Sequence, residues 1–331
     1  MIHQGVSFYS YQNAYRAGQL DMDGMVHAVK DLGCDGVELV PIMTPPTSYP
    51  KATEAEIAAW HELMAKYGTK PTCFDSIIAV KPEMSGLPFA HPGASIEEQT
   101  ALMRDELTLC HQLGFYLMRI PVGYGIQMQV IEDLLPMAEE LNITLGLEIH
   151  VPMTITGEMV QNYINFIVKK KTKHACLIPD MAIFATSLPR CLQHKALSAG
   201  ADPEVVKTIV QAYEARSDMT AVAEELRAKG VGEAEELLAF AVRNVPSRVD
   251  DLPGILPYIG HFHGKFYDMD DQCCEHGIRF DEVVPILKKA GWEGYINSEY
   301  EGQRFHAPDD PVDELEQVRR QHQMVTRLLA D

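Results

Sequence analysis

Four residues carry the chemistry this sequence offers: Glu148, Asp180, His263 and Glu299. Each stands at the end of a short apolar run, in the order ITLGLEI, ACLIPD, GHFH and GYINSE. If the runs are parallel strands of one barrel, the four side chains meet at its C-terminal mouth, where such folds place their reactive groups. Three carboxylates and one imidazole make an anionic, oxygen-rich cage. It suits Mn²⁺ or Mg²⁺ better than a structural zinc, which favours thiolates and more imidazole.

The elements that must hold these residues alternate along the chain. GVSFYSY, DGVELV, KPTCFDS, YLMRIPV, ITLGLEI, ACLIPD, YIGHFHG and GYINSEY read as eight strands. Helical patterns over about 21–32, 53–66, 96–113, 127–141 and 156–170 separate the first six. Near-continuous apolar strands between amphipathic helices indicate a parallel sheet buried on both faces. Eight such units favour an α/β fold of the (β/α)8 TIM-barrel type, one domain over residues 1–331. No GxGxxG follows a strand, which argues against a dinucleotide site. Residues 184–250 exceed one loop and helix and read as a helical insertion within the barrel. Asp202-Pro203 starts one helix there, and AEELRAKGVGEAEELLAFAVRN continues as helix.

Composition narrows the function. The 331 residues carry a net charge of −19, which disfavours nucleic acid as a partner. No apolar run approaches the roughly 20 residues that span a bilayer. The seven scattered cysteines, with no signal peptide before them, indicate a cytoplasmic location. Cys273-Cys274-Glu275-His276 lacks a second ligand pair at zinc-site spacing and reads as a loop. KKKTKH at 169–174 complements a helix C-terminus.

LGCDGVELVP, LGLEIH, GHFHGK and GWEGYINSEYEG resemble the xylose isomerase-like TIM-barrel superfamily of sugar isomerases and epimerases. The resemblance implies that Glu148, Asp180, His263 and Glu299 bind one divalent metal, Mn²⁺ or alternatively Mg²⁺ or Co²⁺. It favours His263 over His261 as ligand, and alternation along the strand puts His261 one layer deeper on the same face. SFYSYQ, EIH and the long insertion resemble the α subunits of bacterial C-glycoside deglycosidases. That likeness implies a manganese lyase acting on 3-oxo-C-glycosides in a hetero-oligomer with a small β subunit. The alternative is a ketose epimerase or sugar isomerase, which would share the metal and the first proton abstraction.

His150 is the candidate base, since imidazole titrates near neutral pH; ordering Glu148 is the competing role. Glu148 or Glu299 could instead act as base. Arg119 and Lys265 are candidate substrate ligands, against a brace for a carboxylate and a solvated lysine respectively. His261 and Arg304 complete the substrate-binding candidates, and His306 could join Arg304 against substrate or a partner. Asp75 and Glu38 could touch substrate or brace the barrel. Tyr9, Tyr11, Phe74 and Tyr300 could wall an aglycone or fill the core. A barrel kept only for binding should show a broken ligand set, and an endonuclease a basic face; neither fits.

Overall fold

The computed structural model describes residues 1–41, 49–86, 90–307 and 310–330. Its strands are β1 (Ile2–Ser7), β2 (Gly36–Leu39), β3 (Lys70–Asp75), β4 (Leu117–Ile120), β5 (Thr144–Ile149), β6 (Ala175–Pro179), β7 (Phe262–Phe266) and β8 (Gly294–Tyr300). All ladders are parallel, in the order β6-β5-β4-β3-β2-β1-β8-β7. Isolated parallel bridges, Leu177 with Ile259 and Asp180 with His263, link β6 to β7 and bring the sheet round to a nearly closed barrel.

The helices before β6 are α1 (Gln12–Arg16), α2 (Met22–Asp31), α3 (Glu54–Tyr67), α4 (Ile96–Gln112), α5 (Met128–Glu140) and α6 (Glu158–Lys170). Between β6 and β7 lie α7 (Arg190–Ser198), α8 (Pro203–Glu214), α9 (Met219–Lys229) and α10 (Glu235–Arg243). Helices α11 (Phe280–Lys289) and α12 (Glu314–Ala330) follow β7 and β8. Local chemistry sets many of their starts. Thr53 and Ser95 form capping boxes with Glu56 and Glu98, and Asp202 accepts from the Glu204 amide at 2.9 Å beside Pro203.

Period-two alternation sorts the strand residues into two cores. Leu145, Leu147 and Ile149 of β5 join the main core beneath the helices. Cys73, Leu117, Cys176 and Ile178 form a separate apolar cluster inside the barrel. Gly146 leaves room for it, because a Cβ there would lie 2.4 Å from Ile178 Cδ1. Above this plug the inward positions turn polar, so the strand ends present charge over a dry floor.

Several boundaries differ from the sequence reading. The first strand spans Ile2–Ser7 rather than 5–11; Phe8–Tyr11 turn into a 3₁₀ helix. Strand β4 stops before Pro121, which has no N–H for the ladder. Strand β7 begins at Phe262, preceded by a 3₁₀ turn at Leu256–Tyr258. The helical run over 223–244 breaks into α9 and α10, where Gly230 and Gly232 have φ of 92° and 55°. Tyr11, Phe74 and Tyr300 are core residues, leaving Tyr9 as the member of that aromatic set beside the mouth.

Candidate active site

Inward positions within the paired segments of β5, β7 and β8 converge. Glu148, His263 and Glu299 bring ligand atoms within 4.8 Å of one another. His263 Nδ1 lies 3.0 Å from Glu148 Oε1 and 3.4 Å from Glu299 Oε2. Asp180, wholly buried, spends Oδ1 on the Ala182 amide at 2.8 Å, which opens the turn after β6. Its Oδ2 meets the same ammonium as Glu299: Lys265 Nζ lies 3.3 Å from Asp180 Oδ2 and 3.4 Å from Glu299 Oε2. Three of the four expected ligands thus form one tight group, and the fourth adjoins it through Lys265.

The donor set fits a hard divalent cation. Asp180 Oδ2 and Glu299 Oε2 are buried oxygens that accept no hydrogen bond from the described residues. Both sit beside the Lys265 ammonium without a hydrogen bond from it, and a buried oxygen left so is costly, which a bound cation would relieve. Oxygen with a single imidazole is the chemistry of Mn²⁺ or Mg²⁺ sites.

Neighbouring charges set the ionisation of the group. Burial opposes the charge on Glu148, but Arg119 and His263 outweigh it and hold the carboxyl well below its usual range. Burial pushes Glu299 up to about 8; Lys265 and His263 oppose this, while Asp180 and Glu148 add to it. Burial likewise works against a charged Lys265, yet Asp180, Glu299 and Glu301 carry it well above an ordinary lysine.

The remaining candidates occupy defined places. Lys265 is 3% exposed, so it is no solvated lysine, and its ammonium also bonds Glu301 Oε2 at 3.0 Å. Arg119 is turned onto Asp75 at 3.4 Å and Glu148 at 3.7 Å, so it braces both carboxylates. His261 is wholly buried one layer down, as alternation along the strand places it, 2.9 Å from Glu38 Oε2. Arg304 lies at the rim, mostly exposed, bonding Glu301 at 2.8 Å and the Tyr9 hydroxyl at 3.3 Å. His306 bonds Tyr300 Oη at 3.1 Å. His150 is half-buried; its Nδ1 lies 2.8 Å from the Val151 carbonyl and its Nε2 3.7 Å from Asp180 Oδ2. Since a carbonyl only accepts, Nδ1 carries the proton and Nε2 presents a lone pair.

Sequence reasoning missed Glu301 and Asn297. Glu301 is buried and charged: burial raises its carboxyl, but Lys265, His150 and Arg304 hold it at about 2. Asn297 donates from Nδ2 to Glu38 and to Thr72. The signal was present, because residues 297, 299 and 301 share one face of an extended strand.

Residues 26–177 match the family model described as xylose isomerase-like TIM barrel. The 3'-dehydrocarminate deglycosidase alpha subunit of a Microbacterium species is 27% identical, over 99% of this chain and 95% of its own length. A C-glycoside deglycosidase alpha subunit of Arthrobacter globiformis is 24% identical, over 94% of this chain and 87% of its own. D-psicose 3-epimerase from Clostridium cellulolyticum H10, solved with D-tagatose, superposes with a TM-score of 0.57 at 12% identity, covering 99% of each chain. A xylose isomerase-like TIM barrel protein from Mycobacterium smegmatis, in complex with magnesium, gives 0.52 at 13% identity, covering 99% of this chain and 96% of that one.

Proposed function

Taking the chain as a xylose isomerase-like TIM barrel, we propose that it is the α subunit of a metal-dependent C-glycoside deglycosidase, a carbon–carbon lyase. One coincidence carries this reading: the cluster of Glu148, His263 and Glu299 with Asp180 adjoining lies in a chain similar over 99% of its length to a deglycosidase alpha subunit. The name of that relative points to a 3'-dehydro glycoside and that of the Arthrobacter globiformis relative to a C-glycoside, together a sugar ketone bonded through carbon to its aglycone.

Glu148, Asp180, His263 and Glu299 would hold the cation, Mn²⁺ or alternatively Mg²⁺ or Co²⁺. When bound, it supplies Lewis acidity toward adjacent oxygens of the sugar ketone. Arg119 keeps Glu148 ionised and fixed, and Lys265 keeps Glu301 ionised and holds the Asp180 side chain in place. His150 Nε2, with its lone pair toward the mouth, takes the proton on C2, next to the C3 ketone. The C2–H electron pair then forms the C1–C2 double bond, and the C1–aryl bond breaks. Its electron pair stays on the aglycone carbon, which takes up a proton, so His150 can return the one it removed. Lys265 and Arg304 flank the mouth as donors to sugar or phenolic oxygens. A small β subunit is the partner that the deglycosidase likeness supports.

The test uses Mn²⁺-loaded protein in D₂O with a 3-oxo-C-glucoside and free ketoses, with and without a small β subunit. Released aglycone, read by mass spectrometry, is the expected result. Deuterium entering a ketose with a new isomer and no aglycone would overturn it in favour of an epimerase or isomerase.

A further inference from the structure

Beneath the mouth lies a second group of donors, of softer chemistry. Glu38 of β2 and Cys73 of β3 stand side by side in the sheet register. His261, just before β7, and His263 complete the group. One donor atom from each of the four comes within 4.8 Å of the others, and all four residues are wholly buried. Glu38 Oε1, His261 Nδ1 and His263 Nε2 have no hydrogen-bond partner among the described residues. The Glu38 carboxylate is fixed through its other oxygen, by Asn297 Nδ2 at 3.0 Å and His261 Nε2 at 2.9 Å. The Cys73 thiol sits 3.6 Å from Asp75 Oδ1, at the top of the apolar plug.

A thiol, two imidazoles and one carboxylate are the donors that a closed tetrahedral zinc site uses, in contrast to the oxygen-rich group above. Size agrees with chemistry. Zinc bonds of about 2.0–2.3 Å set tetrahedral edges of about 3.3–3.8 Å. His263 Nε2 and Glu38 Oε1, 3.7 Å apart, already form one such edge. The widest separation in the group exceeds an edge by about 1 Å at most, which side-chain adjustment can close. Charge agrees too, because a carboxylate and a thiolate cancel a divalent ion and leave a neutral unit in the dry interior. We propose that Glu38, Cys73, His261 and His263 form a binding site for a thiophilic divalent cation of the zinc type, one layer below the mouth. The site stands on its own donors, whatever the mouth binds. Its one sulfur ligand sets it apart from the group of Glu148, His263 and Glu299, which has none.

The experiment is zinc X-ray absorption on protein stripped with chelator and reloaded with one equivalent of Zn²⁺. Cys273→Ser and Cys274→Ser are included in every sample to remove the partly exposed thiols. The expected shell has one sulfur at about 2.3 Å and lighter atoms at about 2.0–2.2 Å. Cys73→Ser should lose the sulfur, whereas Glu148→Gln, which alters only the upper group, should keep it. A shell of oxygen and nitrogen alone overturns the proposal, and so does a sulfur that survives Cys73→Ser. If Cys73→Ser does not fold, the parent shell still decides, since the other buried cysteines belong to no such group among the described residues. Loss of the catalytic reading would leave this result untouched, because the readout is the sulfur shell and not turnover.

Discussion

Lys265→Met probes the charge balance of the mouth without touching an expected metal ligand. The ammonium is 3% exposed and lies 3.0–3.4 Å from Glu301, Asp180 and Glu299. Removing one partner from a buried ion pair costs about 3–5 kcal/mol, because it leaves the other charge uncompensated. Glu299, already pushed up to about 8 by burial, can take a proton when the lysine goes, which brings the loss to the lower end. With roughly 2.1 cal/mol/K of unfolding entropy per residue, about 3 kcal/mol in a chain of this length lowers Tm by about 4 °C. Calorimetry in chelator at neutral pH reads that shift directly. The pH dependence has a definite sign. The folded Glu299 pKa is raised above its ordinary 4.5, so its stabilisation is complete below that value and lost as pH climbs through about 8. Lys265 lowers this pKa, so the variant should carry the loss to higher pH and the gap from the parent should widen in alkali. Mn²⁺ should narrow the gap by supplying the missing charge. A variant that melts with the parent in chelator, across neutral and alkaline pH, refutes the account.

Replacing Glu148, Asp180, His263 or Glu299 by Ala should reduce bound Mn²⁺ and turnover together; full metal content in Glu299→Ala would take that residue out of the cage. His150→Gln should retain the metal yet slow exchange of the substrate α-proton by about 100-fold or more, the contribution expected of a positioned base. Exchange at the parent rate would end its assignment. In α12, burial holds His322 down to about 4 against an ordinary 6.5. The unfolded chain therefore takes up a proton first, and stability should fall by about 3 kcal/mol as pH drops from 6.5 to 4, at 1.36 kcal/mol per unit. Urea titrations should show His322→Leu losing that slope; an unchanged slope would place the acid sensitivity elsewhere.

Strand alternation made most of the fold and much of the site legible in the sequence. ITLGLEI and GYINSE end on inward carboxylates, and the HxHxK spacing of β7 puts His261, His263 and Lys265 on one face. What one strand cannot tell is depth and direction across the barrel. Lys265 follows a buried histidine by two residues and reads equally as solvated, until β8 and β6 place three carboxylates around it. Arg119 points inward as alternation requires, but only the neighbouring Asp75 and Glu148 decide that it braces them. Polar residues at the start of β1 hid its true limits, because pairing with β8 rather than apolar content draws Ile2 into the sheet. Gly230 and Gly232 were visible as helix breakers, yet the Ala- and Leu-rich flanks masked the break.

Charge explains why the mouth and the layer beneath it form one unit. Glu38, Asp75, Glu148, Asp180, Glu299 and Glu301 crowd the inward face of the strand ends. Against them stand Arg119, Lys265 and the two imidazoles of β7. Ionised carboxylates so deep cannot all persist without more positive charge, which is why burial and mutual repulsion push Asp75 up to about 6 and Glu299 to about 8. The acids with close cations or hydrogen-bond donors behave differently. Glu38 and Glu301 stay at about 2 despite their burial, through the His263 and His261 imidazoles and through Lys265 respectively. Ionisation is therefore secured at the back and side of the site and left under tension at Glu299, beside Glu148 and Asp180. A divalent cation bound among these oxygens would relieve the tension where it is greatest, and the proton that Glu299 gave up would link cation affinity to pH.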